Sequence, residues 1–371
     1  MKKICVVGPV YPYRGGIAWH TEKLVEALRS SGQTVEVFSF RNQYPKWLYP
    51  GKSDKQPGAD QFLSDVYYVL DPLAPLTWLK TARQIRELQP DLVVLQWWNT
   101  FWSPCFGVLS SLLRKSRLRV AFLIHNVVPH ETWRMDKILS RMVLKQATNY
   151  IVQSERELKS LRKILGNVAA INLPHPIYEI PDLCDTTQQE ARQALGLPLD
   201  VPVMLFFGIV RPYKGLMYLL DAFEHLKDLQ PIPHLLIVGE FWEPVEIYQQ
   251  KIKQLGIENF VHIRNEYVPD SMLAVIFSAA DLFVAPYVDG TQSGAIKLAM
   301  GAGLPLIVSD FMASDSISLA YPAILRIRPA DSFELAVAIR RWASREWQPE
   351  GSNILSLGWN EMAQALIEMV R

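Results

Sequence analysis

The stretch that most constrains the fold is residues 203–215, Val-Met-Leu-Phe-Phe-Gly-Ile-Val-Arg-Pro-Tyr-Lys-Gly. Its apolar run is too short for a buried helix and stops at Gly208. Two cations, Arg211 and Lys214, follow just ahead of an amphipathic helix expected over residues 216–229. Buried strand, glycine turn and helix start make half of a βαβ unit. Chains built that way form parallel sheets whose ligands lie beyond the carboxyl ends of the strands. Two cations at such an edge suit an anionic ligand, a diphosphate above all. Taken alone they also read as solvated loop charges.

The same grammar runs along the chain. Residues 3–8 read as a strand, residues 9–16 as a turn ending in Gly15-Gly16, residues 17–31 as a helix and residues 34–40 as a second strand. The glycine pair lets backbone approach a ligand at a helix N-terminus, or simply makes a tight turn. It is not the G-x-G-x-x-G fingerprint, and no acidic residue ends the second strand, so a nicotinamide cofactor is not expected. Residues 42–60, rich in Pro, Tyr, Lys and Gly, read as a mobile surface loop. Helices are then expected at 76–88, 103–115, 136–146 and 155–165, and strands at 91–98, 119–125, 149–153 and 168–173.

A proline-broken linker over residues 174–185 separates these from a second set. There, strands at 203–208, 234–239, 260–264, 282–288 and 304–309 alternate with helices at 216–229, 245–255, 270–280 and 293–301. The fold class is therefore α/β, two doubly wound, Rossmann-like parallel sheets expected to face one another across a cleft. The domains are residues 1–175, residues 186–353, and a closing helix over residues 354–371 that returns to the first. A length of 371 residues, 49% of them hydrophobic, supports two cores.

Net charge is +1, but it is unevenly spread. Residues 1–173 hold 24 Lys+Arg against 13 Asp+Glu (+11), and the remainder 14 against 24 (−10). The basic residues form no single run with interleaved aromatics, so nucleic acid is not expected; an anionic membrane face suits them better. Arg134, just ahead of the 136–146 helix, and Lys137, Arg141 and Lys145 on it recur among Ile138, Leu139, Met142, Val143 and Leu144, a pattern of a lipid-facing helix or of a solvated basic face. Cys5, Cys105 and Cys184 have no metal-ligand spacing and suit reduced thiols in a cytoplasmic chain. Residues 1–8 lack the features of a signal peptide. Residues 92–113 are uncharged but broken by Gln96, Asn99, Ser103 and Pro104.

Three further groups fall at expected strand ends. Trp97, Trp98, Phe101 and Trp102 either pack beneath a loop or serve sugar stacking or an interface. His125 opens the segment HNVVPHE, with no third ligand at a spacing that suits zinc. Residues 286–294 (PYVDGTQSG) leave a strand and start a helix. Thr291, Gln292, Ser293 and the amides near Gly294 suit phosphate or sugar hydroxyls, Ser293 also reads as an N-cap, and Asp289 is the carboxylate of that turn.

These motifs together resemble the retaining GT-B nucleotide-sugar glycosyltransferases of family 4. FFGIVRPYKG, LLIVGE, YVPDSML, AADLFVAPY and TQSGAIKLAMGAGLPLIVSD carry the likeness, with YRGG and His125 weaker. The resemblance implies that Arg211 and Lys214 hold the donor diphosphate against Gly15 and Gly16, with Gly208, Gly239 and residues 291–294 beside it. It implies that His125 lies near the transferring sugar, with Asp289 counted among the catalytic candidates, and that Tyr267 and Val268 line the nucleobase pocket. The donor would be a UDP- or GDP-sugar and the acceptor a glycan or lipid-linked sugar. No Asp-x-Asp pair is present, which suits metal-independent transfer without a cofactor. The sequence also departs from the family, which usually shows two glutamates with seven residues between. Gly290 and Leu298 stand in those places, Lys297 lies beside the second, and residues 311–318 (FMASDSIS) replace an expected Gly-Gly. The alternative is a weak or inactive nucleotide-sugar binder or partner subunit. An epimerase would need acid–base carboxylates, for which only Asp289, Glu240 and Glu131 offer themselves.

Overall fold

The computed structural model describes residues 1–45, 47–49, 51–58, 61–128, 134–349 and 358–370. Its contacts divide the chain into two units, Met1–His175 with Gly358–Arg371, and Pro176–Leu357. The first begins with β1 (Lys3–Val7), α1 (Gly16–Ser30), β2 (Thr34–Phe40), β3 (Val66–Leu70), α2 (Pro75–Leu88) and β4 (Leu92–Trp97). It continues with α3 (Ser103–Lys115), β5 (Val120–Ile124), α4 (Arg134–Leu144), β6 (Asn149–Val152), α5 (Glu155–Leu165) and β7 (Ala170–Asn172). The second unit opens with α6 (Gln188–Leu195), β8 (Val203–Phe207), α7 (Leu216–Ala222), β9 (His234–Val238), α8 (Val245–Leu255) and β10 (Val261–Arg264). Then come α9 (Leu273–Ser278), β11 (Leu282–Ala285), α10 (Gly294–Gly301), β12 (Leu306–Ser309), α11 (Ser316–Ala320), β13 (Ile324–Ile327) and α12 (Ser332–Ala343), before α13 (Trp359–Glu368) rejoins the first unit.

The sheets run β3-β2-β1-β4-β5-β6-β7 and β10-β9-β8-β11-β12-β13, and every paired strand is parallel. Central strands such as β4 (LVVLQW) and β5 (VAFLI) are buried along their whole length, as a sheet covered by helices on both faces demands. Strand order reverses between β1 and β4 and again between β8 and β11. Those reversals open a crevice at each carboxyl edge, and there the informative turns emerge. α13 packs on α1 through buried Trp359, Met362 and Leu366.

Several expectations are corrected. The helix expected over residues 216–229 is α-helical only to Ala222 and tightens into a 3-10 turn at Phe223–His225, with Pro231 downstream unable to extend it. The strand expected to reach residue 288 stops at Ala285, because Pro286 has no amide to give the ladder. The 270–280 helix starts as a 3-10 turn, Asp270–Met272. β3, α6, α11, β13 and α12 add to the elements expected from sequence. In the 42–60 loop, Tyr44 stacks on Phe101 at 5.4 Å and accepts a hydrogen bond from Trp98 Nε1 at 2.8 Å. The tryptophans thus pack under that loop, with Trp97 and Trp102 fully buried.

Candidate functional site

In the second unit, three strand ends are stitched side by side by backbone. Gly208 N donates to Val238 O (2.9 Å), Val210 N to Glu240 O (2.9 Å) and Val288 N to Tyr213 O (2.7 Å). Glycine makes this approach possible. A Cβ on Gly239 (φ +145) would sit 2.1 Å from Gly208 O, and one on Gly215 (φ +73) 1.9 Å from Pro286 O.

Lys214 closes the 3-10 turn Pro212–Lys214 and turns its ammonium toward Gly208, where an added Cβ would lie 2.8 Å from Nζ. The side chain is buried, with Nζ 5.4 Å from the centre of the Tyr287 ring, and no carboxylate pairs with it among the described residues. Burial holds its pKa below the usual lysine value, with Arg211 adding to the fall and Tyr213 opposing it. A bound anion would reverse that penalty. Arg211 lies between two aromatic faces, 5.5 Å from the Tyr213 ring centre and 5.6 Å from that of Trp242.

The 286–294 turn divides its labour. Ser293 Oγ accepts from Ile296 N (3.4 Å), capping α10, and lies 3.1 Å from the Tyr287 hydroxyl. Asp289 Oδ1 accepts from Gly290 N at 2.8 Å. Gln292 differs: its Oε1 and Nε2 are both buried and have no hydrogen-bond partner among the described residues. Buried amides are rarely left so, and this one suits a polar ligand. Thr291 and Gly294 flank it, both half-buried. Tyr267 and Val268 sit half-buried after β10, at the sheet edge two strands from β8.

Leu298 is buried, and Lys297 does not stand free beside it. Lys297 Nζ is 3.0 Å from both Asp315 oxygens and 3.0 Å from Ser318 Oγ, while Asp315 caps α11. The two departures from the family pattern therefore meet: the 311–318 segment supplies the carboxylate that pairs with the lysine of α10. Their separation along the chain hid this link in the sequence.

In the first unit, Gly15 (φ +103) and Gly16 open α1, both exposed, and a Cβ on either would meet nothing within 4 Å. His125 follows β5, its amide donating to Trp97 O at 2.8 Å and its Nε2 lying 2.7 Å from Gln96 Oε1. Its ring is buried 4.7 Å from that of His20, which in turn lies 5.2 Å from His175 and 5.0 Å from Trp359 of α13. Gln153 Nε2 completes the group, 2.7 Å from His20 Nε2. Burial first, and His175 second, pushes the His125 pKa down to about 3; burial also depresses His20. Both imidazoles are neutral at neutral pH. Glu157, raised to about 7 by burial, accepts from Val127 N and so steadies the segment after His125. His130 and Glu131 lie outside the described residues, as does the side chain of Arg134.

A family model described as "Glycosyl transferases group 1" matches residues 201–345, and one described as "Glycosyl transferase 4-like domain" matches residues 15–173. One model falls on each unit, and the two parallel-sheet units have the architecture of the GT-B fold. A provisionally named teichuronic acid biosynthesis glycosyltransferase, TuaC of Bacillus subtilis (strain 168), is 28% identical over 280 residues, 73% of this chain and 66% of that protein. The GDP-mannose:glycolipid 4-beta-D-mannosyltransferase of Xanthomonas campestris pv. campestris is 26% identical over 215 residues, 55% of this chain and 53% of that protein. The chain thus spans just under two thirds of the first relative and about half of the second. Among solved structures, Anabaena Alr3699/HepE in complex with UDP-glucose aligns with a TM-score of 0.70 at 17% identity, over 100% of this chain and 98% of that one. Sucrose-phosphate synthase (tll1590) from Thermosynechococcus elongatus aligns at 0.67 and 20% identity, over 100% and 96%. At such identities these structures speak for the glycosyltransferase fold.

Proposed function

We propose that this GT-B protein moves a hexosyl group from a UDP- or GDP-sugar to a glycan or lipid-linked acceptor, with retained anomeric configuration and without a metal. The observation that carries the proposal is Lys214, a buried ammonium set among glycine turns with no acidic partner among the described residues. Lys214 and Arg211 would hold the two phosphates, and Gln292, Thr291 and the first amides of α10 would receive phosphate or sugar oxygens. Gly208 and Gly239 keep backbone low beneath them, and Tyr267 and Val268 are assigned to the nucleobase. In the first unit, Gly15 and Gly16 are assigned to the donor and His125 to the sugar.

As the bond from the anomeric carbon to the diphosphate breaks, charge gathers on the leaving oxygen, and fixed cations stabilise that charge without reorganising. The acceptor oxygen then bonds to the same face of the sugar, and its proton passes to the departing phosphate. A neutral His125, held by Gln96, suits orienting a hydroxyl rather than carrying charge. Asp289, engaged with Gly290, is better placed to shape its turn than to act as nucleophile. The absence of an Asp-x-Asp pair supports metal independence, and the cysteine pattern supports a cytoplasmic chain. No helix among the described residues is long and apolar enough to cross a membrane.

A second reading, a nucleotide-sugar binder without turnover, draws on Leu298 and the buried Lys297–Asp315 pair. A thermal-shift survey of UDP- and GDP-sugars, followed by measurement of released nucleotide, separates the two. Binding with release supports transfer, binding without release supports the binder, and no binding removes both.

A further inference from the structure

One cleft of the second unit lies away from the glycine turns. It holds about 440 Å³, the size of a small-ligand pocket. Pro202, ahead of β8, Asp281, ahead of β11, and Pro305, ahead of β12, bring it to the amino edge of the sheet. Gly208 and Lys214 emerge at the other end of the same strands. The floor of the cleft is fixed. Arg192 Nε donates to Ala279 O (3.0 Å) and Nη1 to Leu199 O (2.7 Å). Asp281, its ion-pair partner, accepts from Val203 N (2.7 Å) and Gln188 Nε2 (2.9 Å).

The walls are chemically mixed. Trp342, near the end of α12, and Trp347, just beyond it, pack against the core of the unit and border the cleft as well. Asp200, Arg345 and Gln348 also border it, all exposed, and none of their side chains forms a hydrogen bond or ion pair among the described residues. The same holds for both indole N–H groups. Asp200 offers only acceptors, Arg345 only donors, and Gln348 both. Their formal charges cancel, as do those of the Arg192–Asp281 pair. A diphosphate would meet carboxylate as well as guanidinium, and an apolar guest would strand the polar groups. A neutral hexose answers every part: each hydroxyl both donates and accepts, and a C–H face of the ring packs on an indole.

We propose that this cleft binds a neutral hexosyl residue of a glycan, with the indoles of Trp342 and Trp347 against its C–H face and Asp200, Arg345 and Gln348 on its hydroxyls. A glycan held at the amino edge stays near the protein through a second contact, which raises its effective concentration. That purpose rests on the proposed transfer, whereas the binding itself needs no donor.

The test is calorimetric titration of the full chain, without donor, by maltotriose, methyl α-mannoside and methyl β-galactoside, with glucose 1-phosphate as the anionic comparison. At least one of the neutral sugars is expected to bind saturably, and more tightly than glucose 1-phosphate. Arg345 follows the cap of α12 at φ +61, where glycine sits without strain, so Arg345→Gly removes the guanidinium while sparing the fold. It should weaken binding at least about tenfold with no fall in melting temperature, and Trp347→Ala should weaken it comparably. Lys214→Ala should bind the sugar as wild type does. No saturable binding of these neutral sugars overturns the proposal, as does tighter binding of glucose 1-phosphate, or binding that survives both Arg345→Gly and Trp347→Ala. Loss of binding in Lys214→Ala overturns it as well, because the sugar would then belong to the donor turns. Nucleotide release from donor sugars, measured in parallel, keeps the two proposals apart: sugar binding without release leaves the cleft standing, and release without sugar binding removes the cleft alone.

Discussion

His20 and His125 stand edge to face, ring centroids 4.7 Å apart and planes at 89°, both out of solvent and both unprotonated. They bring α1 and the end of β5 together, and His175 and Trp359 close on the same His20 ring. The residue at which the chain leaves the first unit and the helix on which it returns are thus both packed on one imidazole. Three buried polar atoms here, His20 Nδ1, Gln96 Nε2 and Gln153 Oε1, lack partners among the described residues.

Acid should therefore loosen this unit. A histidine whose folded pKa is depressed contributes stability that is present above its unfolded value near 6.5 and lost as pH falls toward the folded value, about 3 for His125. That is about 2 kcal/mol by pH 5 for His125 alone. Glu157, raised to about 7, has the opposite sign: its contribution is present below 4.5 and lost as pH rises to 7. Urea unfolding of wild type and His20→Gln from pH 7.5 to 5 isolates the histidines, and the variant should show the shallower decline.

The Lys297–Asp315 pair should behave as a buried ion pair, with side chains only 4% and 17% exposed. Removing one partner strands a charge, so Lys297→Ala should cost roughly 3–5 kcal/mol, and Lys297→Met/Asp315→Leu distinctly less. Denaturant midpoints of the single and double variants check this.

Gly215 and Gly15 both have positive φ but differ in surroundings. Alanine at 215 would strike Pro286 O, whereas at 15 it meets open space. Gly15→Ala should cost about 1–3 kcal/mol of backbone strain, and Gly215→Ala clearly more. Their melting temperatures, compared in one buffer, give the order.

Much of the architecture was legible because local signals agreed. β2 and α5 run as expected from sequence, α5 bracketed by the Ser154 cap and Gly166. β3 was missed: an edge strand bounded by Asp65 and Asp71 need not be wholly apolar, and its Tyr67 is half in solvent. α6 carries a capping box at Thr187 and Glu190, but its few apolar residues, Ala191 and Leu195, made a faint stripe. The turns at Gly208, Gly239 and residues 286–294 could be read, since glycine and small polar residues report backbone geometry directly. His20, Gln96 and Gln153 could not. Their meaning lies in contacts over long sequence distances, and a lone histidine on a helix says nothing of what it will face.

The account depends most on the Lys214 ammonium meeting a diphosphate. Steady-state release of UDP or GDP from the preferred donor sugar, wild type against Lys214→Ala, tests this directly, with unchanged melting temperature as the control. The expected result is a fall of roughly a hundredfold or more in turnover, together with loss of the nucleotide-induced thermal shift. Turnover and shift equal to wild type would contradict it.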